Sequence, residues 1–162
     1  MKTQLAAVLL TFSLSAPGFA QDARYPSLIG DWQGSYHCAQ GHTGLTLTIN
    51  AQSGKTFSGL FHFYSLPDNQ TVPEGCFTVS GTFLASHKVV INGGTWITHP
   101  QDYVTVDLDG VVTNSTSAPV IGGRVELPGE YRDMHLCSMF VVKKATNVPS
   151  VDRSCQSNIS SR

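Results

Sequence analysis

The sequence predicts an all-β protein, an eight-stranded antiparallel up-and-down barrel, on three observations. Short runs of alternating apolar and polar residues recur along the chain, as at 45–49 and 103–108, and a period of two is typical of half-buried strands. Turn-forming residues separate these runs at short intervals, and no helical periodicity follows residue 21. Strands joined by short links usually pair with their neighbours, and eight of them can close so that no edge stays exposed. A two-sheet β-sandwich is the alternative.

Each predicted strand ends at glycine, proline or a short polar group. The eight strands are predicted at 32–38, 44–50, 57–64, 75–83, 87–97, 103–112, 119–127 and 136–144. An early break is glycine-rich, at 41–44, whereas later breaks contain Pro67, Pro100 and Pro128. Residues 26–29 precede the first strand and are expected to plug the lower end of the barrel. Glycines that permit bends and close approach recur inside the strands: Gly34, Gly59, Gly81 and Gly122.

The first twenty residues predict a secretory signal peptide. A lysine precedes an apolar run too short to span a bilayer, and small residues at Gly18 and Ala20 suit the positions that a signal peptidase reads. We therefore expect a secreted or periplasmic protein that is cleaved near Ala20 and has no membrane span in its mature chain. The predicted organisation is a signal peptide at 1–20, a β-barrel domain at 21–144 and a polar C-terminal tail at 145–162.

Composition and motifs argue against several functional classes. Charged residues make up 13% of the chain and the formal net charge is −1, so neither nucleic acid nor an anionic membrane surface is indicated as a partner. The Gly-x-Ser-x-Gly elbow of a serine hydrolase is absent. The cysteines are too widely spaced for zinc, and His37 should face away from the interior, so surface histidines are favoured over a metal site. We expect a non-enzymatic protein without metal or cofactor, with a hydrolase of unrecognised site as an alternative.

The predicted topology groups the cysteines. Odd strands run up and even strands run down, so alternate links share one end of the barrel, here called the upper rim. Cys38 ends the first strand and Cys137 begins the last, which become neighbours when the barrel closes. A Cys38–Cys137 disulfide is therefore the preferred pairing. Cys76–Cys155 follows if the tail climbs the outer wall, and free or intermolecular cysteines are its rival.

Three short motifs resemble those of the calycins, the lipocalin and avidin barrels. Gly30-Asp31-Trp32 is similar to the Gly-x-Trp that begins their first strand, and Gln101-Asp102-Tyr103 lies where lipocalins have Thr-Asp-Tyr. The resemblance implies that Trp32 closes the barrel floor and that a basic residue after the last strand, here Lys143 of the pair Lys143-Lys144, packs across its indole. Residues 36–47 are also similar to uncharacterised bacterial exported domains, a resemblance that implies no function.

The upper rim is the predicted functional end, because barrel proteins bind where polar groups converge over an apolar interior. The candidate binding residues are Tyr36, His42, Tyr64, His99, Tyr131, Arg132 and His135. The preferred function is an exported module that binds or inhibits an unknown protein through loops 65–74 and 128–135. This function predicts a filled barrel with an exposed patch at the rim.

The alternative function is a calycin-like carrier of a small apolar ligand. It places Trp32 at the floor, Tyr36, Phe61 and Phe63 along the wall, and Tyr131, Arg132 and His135 at the gate. A carrier of this kind needs a cavity of roughly a few hundred Å³.

Overall fold

A computed structural model describes residues 25–114, 118–150 and Cys155. In these ranges the chain forms a closed antiparallel barrel of eight strands in sequence order, with β1 paired to β8. The strands are β1 (Gly30–Cys38), β2 (Gly41–Ser53), β3 (Thr56–Tyr64), β4 (Gly75–Phe83), β5 (Lys88–Thr98), β6 (Asp107–Thr113), β7 (Val120–Glu126) and β8 (Met139–Lys144). The up-and-down barrel is thus confirmed, and the β-sandwich alternative is wrong. The predicted signal peptide lies outside the described residues.

Two strands, β6 and β8, begin three or four residues later than predicted, and each follows a turn at the upper rim. Before β6, the Tyr103 backbone N–H donates to the Pro100 carbonyl at 3.4 Å and Asp102 has a φ of 64°. Before β8, a short 3₁₀-helix at Gly129–Met134 ends at His135, whose φ is 50°. No helix in the described part of the chain is both long and apolar enough to cross a membrane. Both longer links lie at the upper rim, where they add surface beyond the strand ends.

The barrel interior is filled with side chains from the inward face of every strand. Phe61 and Phe77 stack at 4.6 Å between ring centroids, and the Tyr36 ring meets Phe61 edge-on at 5.4 Å. Leu45, Leu47, Ile49, Val89, Ile91, Leu108, Ile121 and Val142 complete a continuous buried core. Because inward positions alternate with outward ones along each strand, the period of two in the sequence directly becomes this core.

The lower end of the barrel is closed by Trp32 and the segment before β1. The Trp32 indole N–H donates to the Leu28 carbonyl at 2.8 Å, and both side chains are fully buried. Lys144, not the predicted Lys143, lies over the indole, with its ammonium 5.0 Å from the ring centroid. Lys144 pairs with Trp32 in the β1–β8 register and shares its face of the sheet, whereas Lys143 pairs with Gln33 and is exposed.

Close contacts between neighbouring strands require glycine at two positions. A methyl group at Gly34 would overlap the carbonyl oxygen of Val141 on β8, and one at Gly59 would overlap the carbonyl oxygen of Thr48 on β2. Both glycines therefore permit approaches between strands that any other residue would push apart.

The start of the C-terminal tail is fastened to the lower end of β1. The Ala145 backbone N–H donates to the Asp31 carbonyl at 2.8 Å. The Asp31 carboxylate is 4% exposed and accepts hydrogen bonds from the Ser150 backbone N–H at 3.0 Å and the Thr48 hydroxyl at 2.9 Å. Asp31 therefore holds β1, β2 and the tail together on the outer wall.

Two disulfides join Cys38 to Cys137 and Cys76 to Cys155, the same pairs that the sequence analysis preferred. The first joins the end of β1 to the link before β8 at the upper rim. The second attaches the tail to the start of β4. Both are compatible with an extracellular or periplasmic protein, because such compartments oxidise thiols.

Candidate functional site

A pocket of about 470 Å³ opens at the upper rim, and we call it the mouth pocket. Its walls come from the β1–β2 turn, the inward ends of β3 and β4, and the β5–β6 and β7–β8 links. Six residues carry most of its chemistry: Tyr36, Phe63, Phe77, Asp102, Tyr103 and Tyr131. The Cys38–Cys137 disulfide also lines it and holds the β7–β8 link over the opening.

Aromatic rings form the base of the mouth pocket and separate it from the lower core. Phe63 stacks on Tyr103 with 5.4 Å between centroids, and Phe77 packs against the edge of Trp96 at 5.0 Å. Phe63 and Phe77 are each 1% exposed, so these rings occupy the space below the opening. Phe63 and Phe77 therefore form the base of the mouth pocket, above the buried core of the barrel.

Two phenols supply polar groups within this apolar cup. The Tyr36 hydroxyl accepts a hydrogen bond from the Gln40 side-chain amide at 3.0 Å. Burial raises the pKa of Tyr36 well above its usual range, and the nearby Tyr103 adds to the increase. Burial also raises the pKa of Tyr103. Both phenols are therefore neutral at physiological pH, and Asp102 is the charged group among the residues that line the pocket.

Apolar side chains around the opening project into solvent. Tyr131 is 40% exposed, Met134 is 56% exposed and Leu136 is 45% exposed, and all three line the mouth pocket. They lie on or just after the 3₁₀-helix, one to six residues before Cys137. Large apolar groups gathered at one edge of a pocket are typical of a binding surface.

The predicted binding residues near the opening divide between two places. Tyr36 and Tyr131 line the mouth pocket, and His99 lies beside it, stacked on Trp96 at 4.4 Å between centroids. Arg132 and His135 line a separate cleft of about 430 Å³ along β7 and the start of β8. The link that carries them turns at the 3₁₀-helix, so its consecutive side chains face different sides of the rim.

The other two predicted residues, His42 and Tyr64, lie on the outer wall. His42 Nδ1 is 2.7 Å from an Asp68 carboxylate oxygen, and the His42 ring stacks on His37 across the β1–β2 hairpin at 4.6 Å. The hydrogen bond from His42 lowers the pKa of Asp68. The hydroxyl oxygen of Tyr64 lies 3.4 Å from that of Thr46. Among the described residues, no group of three or more His, Cys, Asp or Glu side chains is arranged to hold a metal ion.

Several mouth residues were not among the predicted binding residues, although the sequence held signals for them. Tyr103 was assigned to a strand, but Pro100 and Asp102 just before it favour a turn at the rim. Met134 and Leu136 precede Cys137 closely, so the Cys38–Cys137 pairing itself implies that they lie near Tyr36. Gln40 follows Cys38 by two residues and belongs to the same corner.

Comparison with known proteins identifies no family for this chain. No family model matches it, and no curated protein does.

Proposed function

We propose that this chain is an exported, non-enzymatic binding protein that captures a partner protein with its upper rim. The observation that carries the proposal is the mouth pocket: an apolar cup of about 470 Å³ set above a filled interior. A partner that inserts one side chain into this cup gains a buried anchor, which is the arrangement that dominates the energetics of many protein interfaces.

The position of the cup at the open end of the barrel, above a buried base, favours a protein over a free small molecule. Small-molecule sites usually bury most of the ligand's surface, whereas Phe63 and Phe77 fill the space beneath this opening. A protein partner supplies the missing cover itself, because its own surface surrounds the inserted side chain. Met134 and Tyr131 suit contact with the surface of such a partner, since methionine adapts to irregular shapes and tyrosine combines apolar area with a hydroxyl.

Differential capture with matched variants tests this proposal. The rim variant combines Met134→Ser with Leu136→Ser, and the wall variant combines Val111→Ser with Val141→Ser, which are exposed apolar residues on the outer wall. Each immobilised protein is exposed to the secreted or periplasmic fraction of the source cells, and captured proteins are quantified by mass spectrometry. We expect one partner to be retained by wild type and the wall variant and to fall about tenfold or more with the rim variant.

Equal capture by the rim and wall variants, or none by wild type, would contradict the proposal. Tyr131→Ala serves as a second rim variant, because it removes a different anchor from the same opening. Circular dichroism and thermal unfolding of each variant establish that the loss of capture does not come from loss of fold.

A calycin-like carrier of a small apolar ligand is the second candidate. Two observations favour it: the pocket volume lies in the range of ligand sites, and Lys144 covers the Trp32 indole at the floor of a closed eight-stranded meander. Native mass spectrometry of the exported protein tests it. A retained small molecule that is lost in Tyr36→Ala supports a carrier, and a bare protein mass counts against one.

A further inference from the structure

Carboxylates predominate in the links of the upper rim, whereas the lysines lie at the opposite end and Arg124 lies on the outer wall of β7. The upper links carry five carboxylates against one arginine, Arg132: Asp68, Glu74, Asp102, Glu130 and Asp133. All four lysines in the described part of the chain lie at the opposite end: Lys55, Lys88, Lys143 and Lys144. A chain whose overall formal charge is only −1 therefore presents an acidic rim to whatever approaches the mouth pocket.

The residues that line the mouth pocket also favour negative over positive charge. Five aromatic rings face it, and Asp102 is the charged residue among the described residues that line it. Arg132 lines the neighbouring cleft instead, and His99 lies beside the pocket against Trp96. Aromatic faces carry partial negative charge and attract cations, and a neighbouring carboxylate adds to that attraction.

The phenols contribute without adding charge. The Tyr36 and Tyr103 hydroxyls stay protonated at physiological pH, so each offers an oxygen lone pair to a bound cation without adding a charge of its own. The apolar residues of the opening suit the alkyl stem that joins a lysine or arginine head group to its backbone.

From this arrangement we propose that the partner inserts a basic side chain, lysine or arginine, into the mouth pocket. The inference rests on the proposed function, since it names the group by which the captured protein is recognised. The alkyl stem packs against Met134 and Leu136, the cationic head group lies against the Tyr131 ring and the Tyr36 and Tyr103 phenol oxygens, and Asp102 pairs with it at the edge. The acidic rim draws the basic partner to this end of the barrel.

Four capped tripeptides serve as probes: N-acetyl-Ala-X-Ala-amide, with X as lysine, arginine, norleucine or glutamate. Norleucine keeps the alkyl stem of lysine without its charge. Binding is followed by NMR titration of the backbone amide signals of the residues around the mouth pocket. We expect lysine and arginine to bind about 2- to 30-fold more tightly than norleucine, with glutamate weakest, and the preference to shrink at high salt.

Two matched variants locate the effect. Asp102→Asn removes the charge inside the pocket and keeps the left-handed backbone, because asparagine tolerates a φ of 64°. Asp133→Asn removes an equal charge from the same rim outside the pocket lining. We expect the preference for lysine over norleucine to fall about threefold or more with Asp102→Asn and to stay within about twofold of wild type with Asp133→Asn.

The outcomes separate the two proposals. Norleucine binding as tightly as lysine, or equal losses in both variants, overturns the basic-side-chain inference and leaves the proposed function standing. If no peptide shifts the NMR signals of the residues around the mouth pocket while differential capture succeeds, only the basic-side-chain inference fails. If capture also fails to distinguish rim from wall, the proposed function fails with it.

Discussion

Removal of the Asp31 carboxylate should destabilise the barrel far more than its place on the outer wall suggests. The carboxylate accepts one hydrogen bond from the Thr48 hydroxyl and one from the Ser150 backbone N–H, at 2.9 and 3.0 Å, and it is 4% exposed. In Asp31→Ala the buried Thr48 hydroxyl loses its acceptor where water has little access, whereas Ser150 is exposed and its N–H can turn to water. At about 1–3 kcal/mol for the buried unsatisfied hydroxyl and about 0.5–1.5 kcal/mol for the lost bond to Ser150, the expected loss is about 2–4 kcal/mol of unfolding free energy.

Asp31→Asn makes the prediction sharper. The oxygen that Thr48 contacts also accepts from the Ser150 N–H at 3.0 Å, so an amide oxygen there retains both bonds, while the amide nitrogen replaces the second oxygen, 3.1 Å from the same Ser150 nitrogen. We expect a loss of about 1–2 kcal/mol, from the lost charge and the lost second acceptor. Urea unfolding with disulfides intact measures both variants, and Asp109→Ala is the control, because its pair with Lys88 is exposed and 3.5 Å long.

Agreement of Asp31→Ala with wild type within about 1 kcal/mol would refute this reasoning, since no buried donor could then have lost its partner. A double-mutant cycle with Thr48→Val supplies a second check. Because both residues share one hydrogen bond, the combined loss should fall short of the sum of the single losses by about 1–2 kcal/mol. Strict additivity would mean that the Asp31–Thr48 bond contributes nothing.

Three further predictions concern the rim, the strand contacts and the disulfides. The pKa of the Asp68 carboxyl should lie below its usual value of about 3.9. Its contribution to stability is therefore present above that pH and is lost as the pH falls through the lower folded pKa. NMR titration should show the Asp68 midpoint rising in His42→Ala, and an unchanged midpoint would contradict the role of the His42 hydrogen bond. Gly34→Ala should lower the unfolding free energy by about 1–3 kcal/mol, because its methyl group overlaps a β8 carbonyl. Gly54→Ala, in the open β2–β3 turn, has space for the methyl group but a positive φ, so it measures the separate effect of backbone strain. Replacing Cys38 and Cys137 together by alanine should cost about 4–5 kcal/mol in urea unfolding for a loop of 99 residues, and a loss below about 1 kcal/mol would contradict the loop-entropy argument.

The closed meander could be predicted because its signals are local. A period of two identifies a half-buried strand from five or six residues, and short links leave few ways to connect eight of them. The late start of β6 shows the limit of that signal. Tyr103 to Val106 alternate as a strand would, yet the turn at Asp102 and the stacking of Tyr103 on Phe63 draw the segment into the rim.

The face of the sheet on which each side chain lies was harder to predict. The choice of Lys143 over Lys144 was wrong by one position, and one position reverses the face in a strand. His42 and Tyr64 were correctly placed near the upper end of their strands, but they occupy outward positions of β2 and β3 and so lie away from the mouth pocket. The β7–β8 link has no period at all, so the separation of Tyr131 from Arg132 could not be read from the sequence.

The two disulfides interleave along the chain, since Cys76 lies between Cys38 and Cys137 while Cys155 lies beyond them. A single backbone cleavage anywhere between Cys38 and Cys155 therefore leaves the two fragments covalently joined. A protease that cleaves the exposed β7–β8 link therefore cuts the backbone at the upper rim, but both fragments stay joined by a disulfide. The barrel stays one molecule until a second cleavage or the reduction of a bridge.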